Sequence, residues 1–167
     1  MNLDKNIKIS SINNSLTRNL LENLYNLNQQ NTPEVGTIKN IKSFSKLLEI
    51  SSISLQIEYK NQLVGFIVCF REKSEYKSLN YKFFSKSMKK FLYIDRVVIN
   101  SNFRRIGIGT EVYKYLRKVA TKDSLRICCE VNSKPRNNIS INFHLKNGFN
   151  IVGDCDFEDH SVLYFCR

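Results

Sequence analysis

Two hydrophobic periods run through the chain. Leu16, Leu20, Leu24 and Leu27 recur at three- and four-residue spacing. That spacing predicts one face of a helix over 15–27, with Asn14 or Ser15 as its cap. Thr32-Pro33 interrupts the pattern. Ile41, Phe44, Leu47 and Leu48 predict a second helix over 41–50. Residues 6–12 alternate weakly and predict a short first strand. Leu55, Ile57 and Tyr59 share one face of a strand over 54–59, and 63–70 (LVGFIVCF) is an apolar run of strand length. Joined by Asn61-Gln62, they predict an antiparallel hairpin.

The second half repeats these signals. Residues 91–99 (FLYIDRVVI), 125–131 (LRICCEV), 150–156 and 161–166 predict four strands. A helix over 110–122 turns Val112, Tyr115, Leu116 and Val119 inward. Another over 137–146 puts Ile141 and Leu145 on one face and stops at Gly148. Residues 71–90 are polar, basic and aromatic, and they predict a long connection of the functional kind. The order β-α-α-β-β-β-α-β-α-β-β predicts an α/β protein, a mixed sheet with helices on both faces.

At 167 residues the chain fits one domain, and a hydrophobic fraction of 42% is enough for one core. Nothing approaches the roughly 18 apolar residues of a membrane span, and residues 1–11 lack the apolar run of a secretory signal. A cytoplasmic protein without a membrane partner is expected. The five cysteines are odd in number and form no CxxC pair. They read as reduced, buried, small hydrophobes. No metal site is expected, because His144 and His160 complete no closed zinc motif. The net charge of +11 suits a polyanionic partner. The charges are scattered, however, and no nucleic-acid partner is expected without a contiguous basic stripe or a reading motif.

The sharpest chemical signal is Arg104-Arg105-Ile106-Gly107-Ile108-Gly109-Thr110, between a strand and a strongly helical segment. Glycines at i and i+2 let a backbone approach closely, and the free amides of a first helical turn point at an anion. The arginines add charge, and the Thr110 hydroxyl can donate. A plain helix start with two solvated arginines is the alternative. The segment is neither a Walker loop nor a dinucleotide fingerprint.

Arg104-x-x-Gly107-x-Gly109 resembles the acyl-CoA pyrophosphate loop of the GNAT acetyltransferases. The run Asn137-x-x-Ser140-x-x-Phe143-His144-x-x-x-Gly148-Phe149 is similar to the family's last motif, with His144 where a Tyr is usual. Tyr76-x-Ser78-x-Asn80-Tyr81 and the strand Phe91 to Val98 resemble a bacterial GNAT subgroup that also carries a Phe-His pair. The resemblance implies one GNAT domain over 1–167, with a twisted, mostly antiparallel sheet of about seven strands. It implies acetyl-CoA as cofactor and acetyl transfer to a primary amine of a small molecule or peptide.

Further roles follow from the resemblance. The backbone of Val97, Val98 and Ile99 would pair with the pantetheine arm and polarise the thioester. Asn137, with Ser140 and Phe143, would contact that arm. His144 would be the acid toward sulfur, with Tyr81 and Tyr76 in reserve; a silent structural histidine is the alternative. Asp95 would meet the acceptor amine, unless it pairs with Arg96. Glu130 is a further acceptor-side carboxylate, and Tyr76, Asn80 and Tyr81 would line the acceptor pocket. Arg105 stands where many GNAT chains have Gly and is tolerable there with negative φ. A homodimer is plausible from the same resemblance. A non-catalytic acyl-CoA-binding module and a basic nucleic-acid-binding domain are the competing classes.

Overall fold

Lys60 and Asn61 both take positive φ, 50° and 65°, a two-residue turn whose twist matches the strands it joins. Around this hairpin the rest of the sheet assembles. The computed structural model describes residues 6–13 and 16–167. Its elements are β1 (Ile7–Ser11), α1 (Arg18–Gln29), α2 (Ile41–Ile50), β2 (Ile53–Tyr59), β3 (Gln62–Arg71), α3 (Leu79–Ser87), β4 (Phe91–Ile99), α4 (Ile108–Lys122), β5 (Arg126–Lys134), α5 (Asn138–Lys146), β6 (Asn150–Asp156) and β7 (Ser161–Cys166). The strands run β1-β2-β3-β4-β5-β7-β6. β4 and β5 pair in parallel, and every other pair is antiparallel.

The central strands are buried on both faces, which is why LVGFIVCF reads as one apolar run. On one face Ile67, Leu92, Ile94, Ile127 and Cys129 pack under Ile108, Val112 and Leu116 of α4 and Ile141 of α5. On the other, Phe66, Val68, Phe70, Phe91, Tyr93 and Cys128 pack under Leu24 and Leu27 of α1, Phe44 and Leu47 of α2, and Tyr81 and Phe84 of α3. A Cβ on Gly65 would stand 2.4 Å from the Val98 carbonyl oxygen, so the close approach of β3 to β4 needs a glycine there.

Four expectations change. The expected caps Asn14 and Ser15 lie outside the described residues; α1 starts at Arg18, and the Thr17 side chain accepts from Leu20 N at 3.2 Å. The long connection holds a helix, α3, of which only Tyr81 and Phe84 are buried. In α4 the buried face is Ile108, Val112, Tyr113, Leu116 and Ala120, while Tyr115 is half-buried. In α5 the buried partner of Ile141 is His144, and Leu145 is 45% exposed.

Candidate active site

The sheet opens at its centre. β4 and β5 pair only from Phe91↔Arg126 to Ile94↔Cys129, although β4 continues to Ile99 and β5 to Lys134. Asn100 N donates to Val64 O of β3 at 2.8 Å. Backbone groups alternate sides along a strand, so the Val97 and Ile99 N–H groups turn away from β3, into the gap. A bulge causes part of this geometry. Val68 pairs with Arg96 and Cys69 with Ile94, so Asp95 is the extra residue, and bulges re-aim side chains in this way.

A cavity of about 450 Å³ fills the gap and reaches both faces of the sheet. Of the sequence-predicted residues, Asn80, Asp95, Val97, Glu130, Asn137, Ser140 and His144 are on its wall. Pro33 to Thr37, in the α1–α2 loop, form another wall, and Asp159 and His160 stand at the β6–β7 turn.

The glycine loop lies beyond this cavity, at the start of α4. Gly107 caps the helix with φ 92° and no side-chain cap bond. A Cβ placed there would meet nothing within 4 Å. The first-turn amides of Ile108, Gly109 and Thr110 have no intrahelical acceptor, as an anion site requires. Gly109 faces Phe143, whose ring would be 3.5 Å from an added Cβ. Ile106 is half exposed. Arg105 takes φ 65°, not the negative φ expected; the family's Gly fits this left-handed position without strain. Arg104 is turned sideways. Its Nε donates to Ile99 O at 3.1 Å and its Nη2 to Asn31 Oδ1, so its charge is tied to the end of α1.

The carboxylates differ sharply. Both Asp95 oxygens are taken: Tyr76 Oη donates to Oδ1 at 2.5 Å and Arg96 Nε to Oδ2 at 2.7 Å. The salt-bridge alternative for Asp95 is the arrangement present. Glu130 is the opposite case. Its Oε2 and the Tyr93 Oη are shut off from solvent with no hydrogen-bond partner. Burial first, and the Asp95 charge second, push the Glu130 carboxyl up to about 8, against the opposing pull of the nearby Tyr93 hydroxyl and Asn80 amide. Buried polar atoms are seldom left unpaired in folded proteins, and Glu130 lines the gap.

His144 is buried and bonded on both nitrogens: Nδ1 to Ser140 O at 2.8 Å and Nε2 to Tyr113 Oη at 2.7 Å. A carbonyl can only accept, so Nδ1 carries the proton and Nε2 accepts from Tyr113. Burial lowers the His144 pKa, so the ring is neutral at pH 7. Asn137 Oδ1 accepts from Ser140 N at 3.0 Å and caps α5. Tyr81 is not on the cavity wall. It is 3% exposed, donates to Arg71 O at 2.8 Å and accepts from Ser74 N at 2.9 Å, which makes it a brace for the β3–α3 connection. Asn80 Oδ1 accepts from Tyr164 Oη at 3.0 Å.

Sequence reasoning missed Tyr93, Tyr113 and the Pro33–Thr37 wall, and saw Arg96 only as an ion partner for Asp95. A polar residue inside an apolar strand was the available signal for Tyr93 and Arg96. For the wall there was only Thr32-Pro33, read as a helix stop.

The sequence profile described as the Acetyltransferase (GNAT) family matches residues 21–149. The chain belongs to this family. It is 27% identical over 130 residues to the probable N-acetyltransferase san of Drosophila melanogaster, a match covering 78% of this chain and 64% of that protein. The chain thus spans less than two thirds of that relative's length. Among solved structures, Arabidopsis thaliana Naa50 in complex with the bisubstrate analogue CoA-Ac-MVNAL superposes with a TM-score of 0.70 at 20% identity, over 97% of this chain and 98% of that one. The ribosomal-protein-S18-alanine N-acetyltransferase of Escherichia coli gives 0.69 at 14% identity, over 96% and 92%. These likenesses establish the GNAT fold.

Proposed function

We propose that the protein is an acetyl-CoA-dependent N-acetyltransferase acting on a primary amine, with a peptide N-terminus as the preferred acceptor. The observation that carries this reading is the orphaned Glu130 Oε2 at the floor of a gap between two parallel strands. Family membership and the Naa50 complex with a peptidyl coenzyme A analogue support it.

The residues present fit the cofactor. The uncapped amides of Ile108 to Thr110 and the open face at Gly107 would take the pyrophosphate. The gap-facing backbone of Val97 to Ile99 would pair with the pantetheine arm, beside Asn137, Ser140 and Phe143. When bound, acetyl-CoA supplies an activated acetyl thioester.

The chain's own work is proton handling and positioning. An amine must lose a proton before its lone pair can attack, and Glu130 receives it. A base is most effective when its pKa lies near the operating pH. The Glu130 value of about 8 also lies close to an α-amine's, roughly 7.7–8.0. A lysine amine, at roughly 10.4, is mismatched by more than two units. This match favours a peptide N-terminus over a lysine side chain. The Val97 and Ile99 amides are pre-placed donors for developing oxyanion charge. Asp95 holds the wall, and His144 shapes the sulfur end of the cavity as a neutral ring.

The Phe143-His144 pair supports placement in the bacterial subgroup noted above. We place this single domain in the cytoplasm; among the described residues no helix is long and apolar enough to cross a membrane. Exposed Ile151 and Val152 on the edge strand β6 support a homodimer.

The test follows thiol release from acetyl-CoA with free peptides, N-terminally blocked peptides carrying lysine, and small amines. Turnover confined to free N-termini is expected. Acetyl-CoA binding without thiol release from any amine would overturn the enzyme reading.

A further inference from the structure

One buried hydrogen-bond chain crosses the acceptor side of the cavity and takes no part in the proton transfer. It runs from Tyr76 through Asp95 to Arg96. Arg96 then ends it, as Nη1 donates to Asn28 Oδ1 at 2.7 Å and to Gly36 O at 3.2 Å. Arg96 is 9% exposed. The bulge at Asp95 lets these two neighbours in sequence meet on one face of the sheet.

One end of the chain belongs to the cavity wall, and the other lies behind it. Gly36 lies within the Pro33–Thr37 wall, and Asn28 is in the last turn of α1, which leads into it. Tyr76, expected in the pocket, is not on its wall; it lies just ahead of α3, whose Asn80 is. Its ring also stacks on Phe70 at 4.0 Å between centroids, so this end is anchored to β3. At the other end the Gly36 carbonyl has, among the described residues and besides Arg96, only a 3.4 Å bond from Asn28 Nδ2. One guanidinium thus fixes the loop to the strand. A lysine could not reproduce this, because three acceptors in different directions need the planar fork.

We propose that Arg96 is the positioning residue of the acceptor pocket. Arg96 itself lines the cavity, and through Asn28 and the Gly36 carbonyl it sets the distance between the Pro33–Thr37 wall and Glu130. The inference rests on the cavity being the acceptor site.

The experiment compares Arg96→Lys, Asn28→Leu and Asn28→Asp in the full chain, using a free N-terminal peptide. Arg96→Lys and Asn28→Leu are expected to raise the peptide KM about tenfold, with kcat within about twofold, the signature of lost uniform binding. The acetyl-CoA Kd by calorimetry stays at the wild-type value. Asn28→Asp keeps an acceptor oxygen opposite Nη1 and is expected to restore the KM to within about threefold. An unchanged peptide KM in Asn28→Leu would overturn the proposal. So would a fall in kcat alone, or equal loss of peptide and cofactor binding. A wild-type protein that binds peptide but never releases thiol would sink the enzyme reading instead. The peptide Kd series by calorimetry then decides the role of Arg96 by itself.

Discussion

Glu130 and His144 are both ionisable, both buried at the edge of the same gap, and on opposite sides of the sheet. His144 has a partner for each ring nitrogen and a pKa pushed down by burial. Glu130 has an oxygen with no partner and a carboxyl pushed up to about 8. A satisfied group resists changing its protonation state, because each bond fixes where the proton sits. An unsatisfied one is poised to accept a proton. The contrast supports the proposed placing of the amine's proton on the acceptor side, whereas the sequence put His144 forward as the acid toward sulfur.

The most damaging test of that contrast is Glu130→Gln. Removing a general base costs about 10²- to 10⁴-fold, so kcat at pH 7 should fall at least a hundredfold in the thiol-release assay. A loss under about fivefold would move the base elsewhere. Next in size is Gly107→Glu, which sets a carboxylate and a side chain in the left-handed position against the pyrophosphate site. Acetyl-CoA binding by calorimetry should vanish, and unchanged affinity would detach the loop from the site.

Acidity sharpens the comparison. With Glu130 as base, the rate should rise about tenfold per pH unit below 8 and level off above it. Asp95→Asn removes a negative charge that raises the Glu130 pKa, so the midpoint should move to lower pH. Stability runs the other way. A carboxyl with a folded-state pKa of about 8 binds a proton that the unfolded chain has released above its usual value. Its contribution is full below about 4.5 and lost as pH rises through 8. Glu130→Gln should therefore melt several degrees above wild type at pH 8 and level with it near pH 4.5, on the usual scale of about 2–4 °C per kcal/mol for a chain of this length. Lower stability of the variant at pH 8 would mean that Glu130 is paired.

The smallest effect belongs to His144→Phe. It strands the Tyr113 hydroxyl, at about 1–3 kcal/mol, so the melting temperature should drop by several degrees. Turnover should stay within about fivefold. A hundredfold loss would restore His144 as the acid and reverse the comparison.

Much of the sheet was legible in the sequence. The hairpin at Asn61, the apolar β3 and the glycine loop ahead of α4 each carry a local signal, and local signals survive into the fold. Where the reading failed, the deciding contact was distant or the pattern thin. α3 buries two side chains among lysines and serines, too few for a helical period to show. Leu145 looked like core and is exposed, while His144 took the buried place because α4 supplies Tyr113. Of the chain on Arg96 only the link to Asp95 could be read. Asn28 stands 68 residues away, and its register against β4 depends on a bulge that no residue in the strand announces.

The early end of the β4–β5 ladder also leaves a kinetic mark on the resting protein. The Val97 and Ile99 amides sit at the middle of a seven-stranded sheet yet have no strand opposite to hold them. In heavy water they should pick up deuterium well ahead of neighbouring Leu92 to Ile94, as a fast seam between two slow halves. A bound molecule that occupies the opening should close that seam and erase the difference.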